Sequence, residues 1–121
     1  MNGKVIKEKS FRFAVRVVML YKYLKSEKKE YILSKQLLCS GTSIGANVRE
    51  SQNAESKADF IHKLAISQKE ADETLYWLEL LKETDYITRE EFNSLESDAT
   101  ELLKIIRSII LTTKNNKGIK G

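Results

Sequence analysis

The sequence predicts an all-α fold, an up-down-up-down antiparallel four-helix bundle that oligomerises. Three observations carry this prediction. The chain has no proline, and of its five glycines only Gly41 and Gly45 fall inside its body, since Gly3, Gly118 and Gly121 sit near the ends. A β-rich domain needs many tight turns built from Gly, Pro and Asn, and this composition does not supply them. Apolar residues recur every three or four positions through four separate stretches, the period of a helix with one buried side. The stretches are separated by only a few residues, which makes sequential helices antiparallel neighbours.

The first helix is expected over residues 4–27, where Ile6, Ser10, Phe13, Val17, Leu20, Tyr21 and Leu24 share one side at 100° per residue. Lys28, Lys29, Glu30 and Tyr31 form a polar connection, and Ser34 is the expected N-cap of a second helix over 35–51. Leu37, Gly41, Ile44, Val48 and Gln52 make its inner stripe. Ser56 followed by Asp59 reads as a capping box opening a third helix over 57–85, with Phe60, Leu64, Ser67, Ala71, Leu75 and Leu78 as its inner row. Thr88 and Glu91 form a second box ahead of the fourth helix, 89–113, whose seam is Phe92, Leu95, Ala99, Leu102, Ile106, Ile109 and Thr113. This 3-4 spacing suits near-parallel helix packing at about +20°. Residues 114–121 lose the period and are expected to fray.

A chain of 121 residues is one domain's worth, enough to bury about two-thirds of its unfolded surface. One cysteine excludes a disulfide framework, and Cys39 with the single His62 cannot assemble a structural zinc site. The longest apolar run, Val17 to Tyr21, is far below the roughly 20 residues a membrane helix requires, and the N-terminus carries no signal-peptide core. A cytoplasmic protein is expected, with no membrane partner.

Three helices carry more apolar or uncharged surface than one bundle uses. Between Lys35 and Ser51 the only charges are Lys35, Arg49 and Glu50. Opposite the core stripe of helix 2 stand Cys39, Ser43, Ala46 and Glu50, with Asn47 beside them, small residues that permit close approach of another helix. Helix 1 has a second apolar strip, Phe11, Val15 and Val18, and helix 3 places Ile66, Trp77 and Leu80 away from its core row. Scattered surface apolars would explain one such face. Three together point to a subunit interface, and hence to a homo-oligomer. Gly41 and Gly45 each cost a helix about 1 kcal/mol relative to Ala, which either close packing on a neighbour or a needed kink would offset.

Catalytic signals are weak. His62 has no glutamate at the di-iron spacing, Cys39 has no base near it in sequence, and there is no phosphate loop or nucleophile elbow. Small cysteines such as Cys39 are commonly buried in helix packing. Glu70 and Glu73 could chelate a cation with Glu50, but such spacing more often makes a solvated or ion-paired face. The chain is expected to be no enzyme and to hold no cofactor or metal. Charge is more informative. Residues 1–30 hold nine Lys and Arg against three Glu, a net of +6, whereas residues 57–87 hold four against seven, a net of −3. Lys9, Arg12 and Arg16 share one stripe, and Lys22, Lys25 and Lys29 continue another that begins at Lys4. Either could follow a phosphate backbone, with Tyr23 stacking on a base, or could be an ordinary solvated face.

Three blocks then carry a resemblance: Gly-Thr-Ser-Ile-Gly-Ala-Asn-Val-Arg-Glu-Ser-Gln (41–52), Ala-Glu-Ser-Lys-Ala-Asp-Phe-Ile-His-Lys-Leu (54–64) and Lys-Glu-Ala-Asp-Glu-Thr-Leu-Tyr-Trp-Leu-Glu-Leu-Leu (69–81). In this order they resemble the bacterial four-helix-bundle family of 23S rRNA intervening-sequence proteins, over essentially the whole chain. The resemblance implies a small non-enzymatic bundle. It extends to the related accessory proteins of diversity-generating retroelements, basic homopentamers that bind nucleic acid and a reverse transcriptase. The implied partners are therefore further copies of the chain, RNA or DNA, or a protein encoded nearby. The family pattern marks Ser43, Asn47, Arg49 and Glu50 on helix 2 and Glu70, Glu73, Tyr76 and Trp77 on helix 3. On physical grounds Asn47 and Glu50 are expected to hydrogen-bond across helices or subunits. Arg49 is expected to pair with Glu70 or Glu73.

Overall fold

A computed structural model describes residues 2–116, with side chains from residue 3 onward. Four helices follow one another: α1 (Asn2–Ser26), α2 (Leu33–Ser51), α3 (Lys57–Glu83) and α4 (Arg89–Asn115). Each packs on its sequence neighbour, and α1 meets α4 more sparingly, which closes a four-helix bundle. Among the described residues the α1 and α3 backbones do not approach closely, and the two helices lie diagonally across the shared core. Tie points give the relative direction of the helices. Gly45 lies against Ser10 and Gly41 against Val17, so numbers rise along α1 as they fall along α2. Ser67 donates to the Ile44 carbonyl at 2.8 Å and Thr74 to Ser40 Oγ at 3.0 Å, so numbers also rise along α3 as they fall along α2.

The expected inner rows are the core. Phe13, Val17, Leu24, Leu37, Ile44, Val48, Leu64, Ala71, Leu78, Ala99, Leu102 and Ile106 are all at most 2% exposed. Leu20, Phe60, Leu75 and Ile109 pack against them from half-buried positions. Gln52, expected at the end of the α2 stripe, is instead exposed and donates to the Gly3 carbonyl. Trp77 does not lie wholly off the core: it is half-buried against it, and its indole N–H donates to Glu73 at 3.2 Å. Cys39 is exposed rather than packed between helices.

Two expected helix starts differ in their chemistry. Ser34 does not cap α2; it is buried one residue inside the helix, and its hydroxyl donates to the Glu30 carbonyl at 2.7 Å. The capping acceptor is the Glu30 carboxylate, which takes the amides of Ile32 (3.2 Å), Leu33 (2.9 Å) and Ser34 (2.6 Å). A three-carbon side chain placed ahead of the helix reaches the same orphan N–H groups that a serine cap serves. Burial raises the Glu30 pKa, but the three amide donors outweigh it and hold the carboxyl below its ordinary value. At α3 only half of the expected box forms. Ser56 Oγ accepts from the Asp59 amide at 3.0 Å, but the Asp59 carboxylate accepts from Glu55 N–H rather than from Ser56. Aspartate is one methylene shorter than the Glu or Gln of a complete box. Thr88 and Glu91 form the complete one, at 3.0 and 2.8 Å. The fourth helix also runs on through Lys114 and Asn115, past the point where fraying was expected; residues 117–121 lie outside the described ones.

The glycines of α2 serve close packing and not a kink, since α2 is continuous from Leu33 to Ser51. A Cβ on Gly41 would stand 2.8 Å from both Cγ atoms of Val17, and one on Gly45 would stand 3.2 Å from the Ser10 carbonyl oxygen. Val17 is fully buried and stiff at χ1, so it has no free space to yield.

Two outcomes follow. Gly41→Ala should destabilise the fold by about 1–3 kcal/mol despite alanine's better helix propensity, with partial recovery in Gly41→Ala/Val17→Ala, both read from denaturant melts. Glu30 has a depressed folded-state pKa, so its contribution is present above the unfolded carboxyl value and is lost as pH falls through the folded one. Glu30→Gln should therefore cost about 1–3 kcal/mol at neutral pH and shrink towards no effect at acid pH. An equal loss at both pH values would contradict the charged cap.

Candidate nucleic-acid interface

α1 presents a solvent-facing strip that the bundle leaves uncovered. Phe11 is 54% exposed, Val15 47%, Val18 37% and Met19 59%. The strip expected from the sequence is thus real, and it extends through Met19 to Tyr23.

The expected basic residues do not act as one set. Lys9 pairs with Glu101 at 3.3 Å, and Arg16 pairs with Asp98 at 2.6 Å while donating to Ser94 Oγ at 2.9 Å. Both brace α1 against α4, a structural use for two of the three residues of the first stripe. Such half-exposed pairs are each worth at most about 1 kcal/mol. Arg12 has no ion pair among the described residues. Lys22, Lys25 and Lys29 are exposed; Lys25 lies 5.6 Å from the Tyr21 ring centroid, and Lys29 donates to the Ser26 carbonyl at 2.9 Å. Eighteen residues separate Lys4 from Lys22, about 27 Å of helix, so that stripe serves two distinct regions.

Lys9, Arg12 and Arg16 do line one open cleft of about 400 Å³ between α1 and α4, but Asp98 and Glu101 stand in it with them. A more cationic groove lies at the start of α1, where it crosses the end of α2. Lys4, Lys7, Arg12 and Arg49 surround Phe11 and Glu8 in an open cleft of about 440 Å³. A second cleft runs from the same Phe11 along α2, past Ala14, Thr42, Gly45 and Ala46. The absent side chain at Gly45 lets α1 sit close enough for Arg49 to reach across it. The Arg49 guanidinium lies 5.7 Å from the Phe11 centroid, within range of a cation–π contact, instead of pairing with Glu70 or Glu73 as expected. Glu50, the acidic neighbour, is partly neutralised by Lys63 of α3 at 3.1 Å, a cross-helix contact of the expected kind. Lys7 and Arg49 are the members of this groove that sequence periodicity does not connect. Arg49 was marked by the family pattern but expected beside Glu70 or Glu73, and the one signal for Lys7 was its place four residues before Phe11.

The remaining family-pattern residues divide by face. Asn47 donates to the Ser43 carbonyl at 2.9 Å, within its own helix and not across to another as expected, and Ser43 donates to the Cys39 carbonyl at 2.7 Å. Their side chains therefore satisfy local backbone and leave a smooth, small-residue face. On α3, Glu70 is half-buried; burial, then the neighbouring Glu73, push its carboxyl above the ordinary range while Lys69 opposes them. Tyr76 is 57% exposed and meets Trp77 edge-on at 5.0 Å.

These features define a class: a small all-α four-helix bundle. No described helix is long and apolar enough to cross a membrane. The chain belongs to the 23S rRNA-intervening sequence protein family, whose model matches residues 4–108. It is similar to a solved structure described as a protein of unknown function from the S23 ribosomal protein family of Bacteroides thetaiotaomicron VPI-5482. The two are 59% identical, with a TM-score of 0.90 over 91% of this chain and 98% of that one. No curated protein matches.

Proposed function

We propose that this chain is a non-catalytic, self-associating, cytoplasmic bundle of up-down-up-down antiparallel topology that binds nucleic acid, RNA or DNA, through the groove around Phe11. The order of the helix tie points supports the topology. The observation that carries the ligand class is the groove's composition: four cations, Lys4, Lys7, Arg12 and Arg49, gathered round one exposed aromatic ring. Cations at helix-turn spacing suit successive phosphates, and a half-exposed phenyl ring offers a face on which a base stacks without regard to sequence. Self-association is supported by the uncovered apolar strip of α1, and five copies is the number implied by the family resemblance. Copies in an assembly repeat the groove, so weak phosphate contacts multiply.

A second reading, a protein–protein adaptor without nucleic-acid contact, is favoured by the uncharged face of Cys39, Ser43 and Ala46 on α2.

Titration of structured RNA and of duplex DNA across a salt series separates the two. Several phosphate contacts predict a steep, linear fall of log affinity with log salt. Lys7→Glu and Arg49→Glu should each weaken binding to all sequences alike and lower the salt slope by about one. Lys9→Ala, which breaks only the brace to α4, should leave the slope nearly unchanged. Weak, salt-insensitive binding by the wild-type chain would favour the adaptor.

A further inference from the structure

Phe11 stands between two clefts of unlike character. Both are open and of about 440 Å³, and Lys7, Phe11 and Arg49 line both. On one side Lys4 and Arg12 complete a set of four cations, with Glu8 the one anion among them. On the other side the wall is Ala14, Thr42, Gly45 and Ala46, small and uncharged. Glu50 borders this second cleft, and Lys63 holds its carboxylate at 3.1 Å. Thr42 Oγ1 donates to the Leu38 carbonyl at 2.7 Å, so to anything in the cleft that oxygen offers an acceptor. The Phe11 ring stays 54% exposed although the Arg49 guanidinium lies 5.7 Å from its centroid.

A nucleotide carries the same division, with charged phosphate on one side of the sugar and a flat, uncharged base on the other. We propose that the two clefts take an unpaired nucleotide of a single strand, an inference that rests on the binding groove proposed above. The phosphates lie among Lys4, Lys7 and Arg12, and the base stacks on Phe11 over the small-residue wall. Duplex meets only half of this site. Its phosphates reach the cations, but its bases are stacked on both faces and their pairing N–H groups are spent on the opposite strand. A splayed-out base has both free: a face for the ring, and an edge N–H for Thr42 Oγ1. Every base has such a donor on its pairing edge, from the ring N–H of thymine, uracil and guanine to the amino groups of adenine and cytosine. The site therefore selects pairing state and not sequence. Arg49 serves both clefts, because a planar guanidinium binds phosphate and also stacks on flat rings.

Fluorescence anisotropy with labelled oligothymidylate, alone and paired with oligoadenylate, tests this across a salt series. At raised salt, where phosphate contacts fade and stacking remains, the single strand should hold more tightly than the duplex. Phe11 is exposed, so its replacement leaves the core intact. Phe11→Leu should weaken oligothymidylate about tenfold, the effect of losing one base–aromatic stack, and the duplex far less. Its salt slope should persist, because no phosphate contact is lost. Ala46→Leu fills the second cleft from an exposed helix position and should act in the same way. Far-UV circular dichroism verifies that both variants are folded. Thymidine monophosphate should displace the strand only at far higher concentration, since it brings a single phosphate. A second readout senses the ring itself: in a Trp77→Phe background, the fluorescence of Phe11→Trp should be quenched by oligothymidylate and not by the duplex. Tighter binding of the duplex at raised salt, equal weakening of both forms by Phe11→Leu and Ala46→Leu, or equal quenching by both forms overturns the unpaired-nucleotide site. Displacement by thymidine monophosphate at the strand's own concentration overturns the strand as its ligand. Lys7→Glu and Arg49→Glu test the groove separately: if they weaken neither form, the groove on which the inference rests is itself overturned.

Discussion

The close approach of α1 to α2 governs the rest of this molecule. At Gly41 and Gly45 a side chain is missing where Val17 and the Ser10 backbone need the space. With α1 drawn in at those two points, its inner row fills the core and its opposite face turns outward. Arg49 can then reach over Phe11 from α2 and form one wall of the groove. On the far side of α2 small hydroxyls play the corresponding part: Ser67 and Thr74 bond to α2 and set the level of α3. One helix, α2, thus fixes the heights of both α1 and α3, and so determines which exposed residues on their outer faces stand level.

α1 divides into two functional lengths on this account. Its first half, Lys4 to Arg12, gathers cations around an aromatic ring; its second, Val15 to Lys25, is an apolar strip ending in lysines. Within the two lengths, Lys9 and Arg16 are drawn sideways into pairs with Glu101 and Asp98 of α4. The pairs subtract two cations from the outer surface. The strongly positive count of the N-terminal segment therefore overstates the charge a ligand meets, while Lys4, Lys7 and Arg12 of that segment gather with Arg49 of α2 round Phe11.

Most of the bundle was legible in the sequence because it rests on periodicity. The inner rows of all four helices and the Thr88–Glu91 box are local patterns, and they became the core and a complete cap. What was not legible depends on atoms that approach from elsewhere in the chain. Glu30 looked like part of a charged connection, since nothing in its neighbours marks a carboxylate that reaches forward over three amides. Ser34, a good cap by type, stands two residues beyond the cap position at Ile32. Arg49 lay closest in pattern to the glutamates of α3, but the position of α1 places an aromatic ring nearer. Lys9 and Arg16 belong to a stripe that a helical wheel draws as solvent-exposed, and only the position of α4 shows where their partners stand.

The central claim is that the outer face of α1 is covered in solution by another copy of the chain. The rate of Met19 oxidation by peroxide, followed by mass spectrometry across a dilution series, tests it directly, because Met19 is 59% exposed in the single chain. The account predicts slow oxidation at high concentration that rises to the rate of a free methionine on dilution. Fast oxidation, unchanged at every concentration, would contradict it.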